Sequence, residues 1–147
     1  NDNIWELSYE IRKEVFCNEN NISEYEEFDN LDQQSRHIIG SVGDLPILAL
    51  RWYMISNYAI IDRCAIISNY RGKGIASKTL EIVIQDIQNV SRDNGVYVEF
   101  LKILVPQNSW IEGCLKRHGY QEYRENEELY QIVRGGISHI VLVQKIN

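Results

Sequence analysis

The stretch Asn69-Tyr70-Arg71-Gly72-Lys73-Gly74-Ile75-Ala76-Ser77 puts two glycines and two cations directly ahead of an apolar pattern of helical period. Glycines let a ligand approach the backbone, and a helix start offers unpaired N–H groups at the positive end of its dipole. The segment is therefore suited to an anion, a phosphate above all. Two familiar phosphate loops do not fit it. No GxxxxGK[ST] spacing occurs, and Gly72-x-Gly74 is followed by Ser77 where a dinucleotide fingerprint needs its third glycine. A second residue with chemical potential is Asp62, a carboxylate inside the apolar run AIIDRCAII, costly to bury unless partnered. Cys17, Cys64 and Cys114 lie far apart and show no paired CxxC, so neither a disulfide framework nor a zinc site is expected. His37, His118 and His139 are scattered without metal-ligand spacing, and no metal is expected.

The elements that must position these residues follow from periodicity. Ile4, Leu7, Ile11 and Val15 are spaced as one face of a helix. The acidic segment after it, with Glu24, Glu26, Glu27, Asp29 and Asp32, reads as a loop and short helix carrying a solvated face. SRHIIGSV, PILALRWYMIS and YAIIDRCAII read as three strands. Ala76, Leu80, Val83, Ile84, Ile87 and Val90 form the apolar side of a long helix, which Asp93-Asn94-Gly95 stops. VYVEFLKILV is a buried strand ended by Pro106, and SWIEGCLKRHGY is a short helix with Asn108 as its N-cap. Two further strands are expected over 120–134 and 137–146, around Gly135-Gly136. This order predicts an α/β (α+β) domain over 1–147: a mixed, mostly antiparallel sheet with helices on both faces and one right-handed parallel crossover.

A chain of 147 residues with 44% hydrophobic content fits a single core, and a net charge of −6 argues against nucleic-acid binding. No apolar run approaches the roughly 18 residues a membrane span needs, no signal peptide is evident, and a cytoplasmic location is expected. Because the chain begins at Asn1 rather than Met, a first strand is expected to be missing.

The motif Arg71-x-x-Gly74-x-Ala76, set between an apolar strand and a long amphipathic helix, resembles the acetyl-CoA signature [QR]-x-x-G-x-[GA] of the GNAT N-acetyltransferases. The "PQN" segment about 30 residues on, the closing "GGISH" and the opening "IRKEVFCNENNISEYEEFDNLD" resemble compact members of that superfamily. The resemblance implies acetyl-CoA as co-substrate. Backbone N–H groups of Gly72, Lys73, Gly74, Ile75, Ala76 and Ser77 would hold its pyrophosphate, with Arg71 shaping the turn. Cys64, Ala65 and Ile66 would pair with the pantetheine arm, and Asn108 would contact it from the far side. A strand N–H near Ala65 or Ile66 would polarise the thioester oxygen.

In amino-sugar members a Glu stands nine residues before the loop's Arg. Asp62 occupies that position, which implies a base acting through a water, although a role as structural partner is equally open. Asp62 is not expected to pair with Arg63, since strand neighbours point to opposite faces. The Tyr that often protonates the leaving thiolate is replaced by Leu115, which leaves Tyr120, Tyr130, His139 or water for that task. His37 and His139 read first as structural or pocket-lining residues. The leading acceptor is glucosamine 6-phosphate, with Arg36 and Arg63 as candidate phosphate ligands. Alternatives are another small amine, a polyamine, a peptide, or a non-catalytic acyl-CoA-binding domain. A homodimer is expected to use the apolar final strand ISHIVLVQ.

Overall fold

The computed structural model describes residues 2–146. Helix α1 (Asp2–Arg12) runs on as a π-helical turn over Lys13–Glu19, and Ile11 and Val15 are its buried contacts. Ser23 caps the short α2 (Glu24–Glu27), its side chain accepting the Glu26 N–H. A 3-10 turn over Asn30–Gln34 follows, closed by a reciprocal capping box between Asp29 and Asp32. Then come β1 (Arg36–Val42), β2 (Leu45–Ile55) and β3 (Tyr58–Ile66), joined as two antiparallel hairpins. Helix α3 (Ile75–Asn94) crosses over to β4 (Phe100–Pro106), parallel to β3. After α4 (Trp110–Arg117) the chain forms the short strands β5 (Gln121–Glu122), β6 (Arg124–Glu125), β7 (Glu128–Leu129) and β8 (Gln131–Arg134), and ends in β9 (Ile137–Lys145).

The main sheet has the order β1-β2-β3-β4-β9-β5, with β8 also paired to β9 and β6-β7 forming a separate ribbon. The fold expected from the sequence is the one observed. Alternation along β2 assigns its two faces. Leu48, Leu50 and Trp52 join Val83 and Ile87 of α3 in the main core, whereas Ala49 packs with Ile11 and Val15 on the α1 side.

Four expectations are corrected. The helix after β4 is capped by Ser109, whose hydroxyl accepts the Glu112 N–H; Asn108 precedes it in a left-handed conformation and donates its own N–H to Glu112. The strand expected over 120–134 is broken into four short pieces. The acidic segment is a solvated face only in part: Glu24, Glu26 and Asp29 are exposed, whereas Glu27 and Asp32 are buried. Finally, β9 has both edges occupied, by β4 on one side and by β5 and β8 on the other, so it cannot extend into a partner's sheet.

Candidate active site

Two features of the backbone create the site. The first is a parting of strands. β3 and β4 pair only from Tyr58↔Phe100 to Ile61↔Ile103, so the stretch from Asp62 to Ile66 has no strand partner on that side. The second is a β-bulge. On β2, Arg51 faces Asp62 and Ala49 faces Ala65, which leaves Arg63 and Cys64 opposite Leu50 alone, with Arg63 at φ +54°. The extra residue resets the alternation, so Asp62 and Arg63 stay together: Arg63 Nη1 lies 3.5 Å from Asp62 Oδ2. The expectation that they face apart is therefore wrong, and the bulge is the reason.

A cleft of about 320 Å³ opens where the strands part, lined by Ile61, Cys64, Ile66, Leu104, Pro106 and His139, with Ala76, Thr79 and Leu80 of α3 toward its mouth. At that mouth, Gly72 and Gly74 adopt left-handed φ values of +74° and +75°, and a Cβ added at either would meet nothing within 4 Å. Among the described residues, the backbone N–H groups from Gly72 to Ser77 have no hydrogen-bond partner. Arg71 fastens this loop from behind, donating from Nε to the Ile66 carbonyl (2.7 Å) and from Nη2 to Glu19 (2.9 Å). Lys73 lies over the Tyr70 ring. Gly72, Lys73, Gly74, Ile75, Ala76 and Ser77 thus form an open loop of unpaired N–H groups at the entrance of the cleft.

A second cavity of about 440 Å³ lies on the α1 side of the sheet and shares Arg63, Leu104 and Arg134 with the cleft. Its floor is a charge network. Arg51, almost wholly buried, donates from Nε and Nη2 to Asp62 (2.6 and 3.0 Å) and from Nη1 to Asp29 (2.6 Å) and Asp32 (2.9 Å). Arg12 holds Glu27 (2.8 Å) and Asp32 (2.7 Å), and Arg63 reaches the Glu27 carbonyl and Asp29. Arg134 forms an ion pair with Glu27 and lies over the Phe16 ring. Burial works against the Asp29 and Asp32 carboxylates, yet Arg51 and Arg12 outweigh it and hold both below the usual carboxylate range. Lys102 is different: its Nζ sits 3.9 Å from the centres of both the Tyr58 and Tyr123 rings. Burial lowers its pKa, and Glu125 offsets this in part.

The expected site residues divide accordingly. Cys64 and Ile66 line the cleft, while Ala65 is buried against Ala49 on the α1 side. Cys64 is exposed at the cleft and, among the described residues, has no basic side chain bonded to it that would activate it as a nucleophile. Arg63 lines both cavities. Arg36 lines neither; Asp86 of α3 accepts its Nε and Nη2 (2.9 and 2.8 Å). Asn108 is exposed outside the cleft, and Ser109 takes its place in the wall. Asp62 faces the second cavity with both oxygens bound to Arg51, so no lone acid waits in an apolar strand. Leu115 is a buried wall of the cleft. Tyr120 is buried in the core away from both cavities, with its hydroxyl pushed up to about 12 by burial. Tyr130 lines the second cavity and His139 the cleft. Sequence reasoning missed Arg51, Arg134 and Lys102; alternation along β2 and β4 hinted only at the face of Arg51 and Lys102, and nothing local placed Arg134 of β8 beside them. Among the described residues, no group of side chains is arranged to hold a metal ion, and no helix is long and apolar enough to cross a membrane.

No protein-family model matches the chain. Over 137 residues it is 27% identical to a Bacillus subtilis protein named as the uncharacterized N-acetyltransferase YjcF, covering 93% of this chain and 89% of that one. Among solved structures, an acyl-CoA N-acyltransferase from Pseudomonas aeruginosa superposes with a TM-score of 0.75 at 19% identity, covering 95% and 89% of the two chains. A GNAT family acetyltransferase from Elizabethkingia anophelis with acetyl-CoA bound gives 0.68 at 16% identity, covering 94% and 90%. The fold is that of the GNAT acyltransferases.

Proposed function

We propose that this chain, of the GNAT fold, is an acetyl-CoA-dependent N-acetyltransferase that acts on a small amine. The observation that carries the reading is the parting of β3 and β4 beside a loop of unpaired N–H groups. An anionic head fits the cradle from Gly72 to Ser77, where aligned donors and the α3 dipole meet it. The free edge of β3 from Asp62 to Ile66 suits a polar, amide-bearing arm lying as an added strand, with Cys64 and Ile66 against it. A strand N–H near Ala65 or Ile66 would polarise the thioester oxygen. Acetyl-CoA supplies an activated acyl carbon and a thiolate leaving group. The acceptor would enter from the second cavity, which meets the cleft at Arg63, Leu104 and Arg134.

Within this reading Asp62 holds Arg51 in place rather than serving as the base. Glucosamine 6-phosphate loses two of its supports, since Asp62 is committed to Arg51 and Arg36 to Asp86. It stays in the test as one acceptor among several. The test measures CoA release from acetyl-CoA with glucosamine 6-phosphate, spermidine, an aromatic amine and a peptide N-terminus, alongside acetyl-CoA binding by calorimetry. Binding with turnover of at least one amine is the expected result. Tight binding without turnover on any amine would make the chain an acyl-CoA-binding domain, and absence of binding would sink both readings.

A further inference from the structure

The geometry points to His139 of β9 as the group that takes the proton from the acceptor's ammonium, where the cleft and the second cavity meet. This rests on the acetyltransferase reading above.

Four observations place it. His139 stands opposite Pro106 on β4, beyond the point where β3 and β4 have parted. It lines the cleft, yet alternation along β9 sets it on the same face as Val141, which lines the second cavity. Lys102 and Leu104 occupy the equivalent face of β4, in register with Val143 and Val141. The side chain therefore sits where an amine from one cavity meets an acyl group in the other. Its Nδ1 lies 2.9 Å from the Ile137 carbonyl, an acceptor only, so Nδ1 carries the hydrogen and Nε2 keeps its lone pair. No hydrogen bond within the described residues engages Nε2, and it is absent from the fully buried polar atoms that lack a partner, so it opens to the cavity.

The charged groups around it favour the form a base needs. Arg63 of β3 and Arg134 of β8 are the cations that act on it, and Arg134 is in turn paired with Glu27 of α2. Burial lowers the His139 pKa first and the two arginines add to this, against the raising effect of the Ile137 bond. The imidazole is neutral at pH 7 and accepts a proton without first losing one.

The proton count closes. Nε2 takes one proton from the acceptor ammonium and later gives it to solvent. The free amine forms the new C–N bond as the C–S bond breaks, and the second amine proton goes to the departing thiolate. Leu115 at the usual tyrosine position then leaves no gap in the account.

His139→Asn separates this role from a structural one. The Asn amide reproduces the Nδ1 donor toward the Ile137 carbonyl but offers no base. With an accepted amine, kcat should fall by about 10²-fold or more. Acetyl-CoA binding by calorimetry should stay within threefold of wild type. In wild type, the acid limb of kcat/KM should coincide with the His139 titration followed by NMR, below pH 6.5, and the variant should lose that limb. If His139→Asn keeps kcat within threefold, or the acid limb survives the substitution, the assignment is overturned. His139→Gln, which lacks the Nδ1 mimic, serves as the second variant: a Gln that is inactive while Asn is fully active would make His139 a structural residue. Failure of the wild type to bind acetyl-CoA would instead strike the functional reading on which the assignment stands.

Discussion

Asp62 gives both of its oxygens to Arg51, and that single fact changes what the residue can do. Removing one member of a buried ion pair leaves the other charged and unpartnered, which costs far more than the pair contributes. Asp62→Asn should therefore lower the unfolding free energy by about 3 kcal/mol, read from urea denaturation. A variant of wild-type stability with lost turnover would return Asp62 to the chemistry. Lys102 is the counter-case: held between two tyrosine rings, with Glu125 acting on it only through space, it contributes about 1 kcal/mol through its cation–π contacts. Arg71 was legible as the residue behind the loop because one of its two bonds is local, whereas its pairing with Glu19 was not legible. Its Nε reaches a carbonyl only five residues back.

At the scale of elements, the α3 loop and the β8–β9 turn both rest on glycines in the left-handed backbone region. An alanine at 74 would meet no atom, so the cost is backbone strain alone, about 1 kcal/mol. Gly74→Ala should leave the protein folded while weakening acetyl-CoA binding about tenfold by calorimetry, because a shifted loop misdirects several donors at once. Unchanged affinity would mean the cradle is not the anion site. Gly135 differs: at φ +59° an added Cβ would clash with Ile22 Cγ1, and its N–H donates to Glu26. Gly135→Ala should destabilise the protein by several kcal/mol, checked by thermal unfolding, since strain and overpacking act together. The hairpin and the segment before α2 are thereby fixed to each other over the second cavity.

For the molecule as a whole, the charge network couples the segment from Arg12 to Asp32 to the sheet. Asp29 and Asp32 have folded pKa values below their unfolded value of about 3.9, so their stabilisation is complete above that pH. It is lost as the pH falls through the lower folded values. The unfolding free energy should decline modestly below about pH 6.5, where the unfolded chain takes up a proton that the buried His139 resists, and drop steeply below about 4 as the carboxylates protonate, with little dependence on salt because most partners are buried. A profile without the steep fall below about pH 4 would contradict this origin. The sequence alone determined the strand–loop–helix unit, the apolar face of α3 and the glycine loop that opens it. Each depends on periodicity or on glycines a few residues apart, and these act locally. The tertiary structure alone decided that Arg12, Glu27, Asp32, Arg51 and Asp62 form one network, that Arg36 turns to Asp86, and that His139 meets the cleft. Those contacts join residues dozens of positions apart, and one inserted residue at Arg63 changes which side chains share a face.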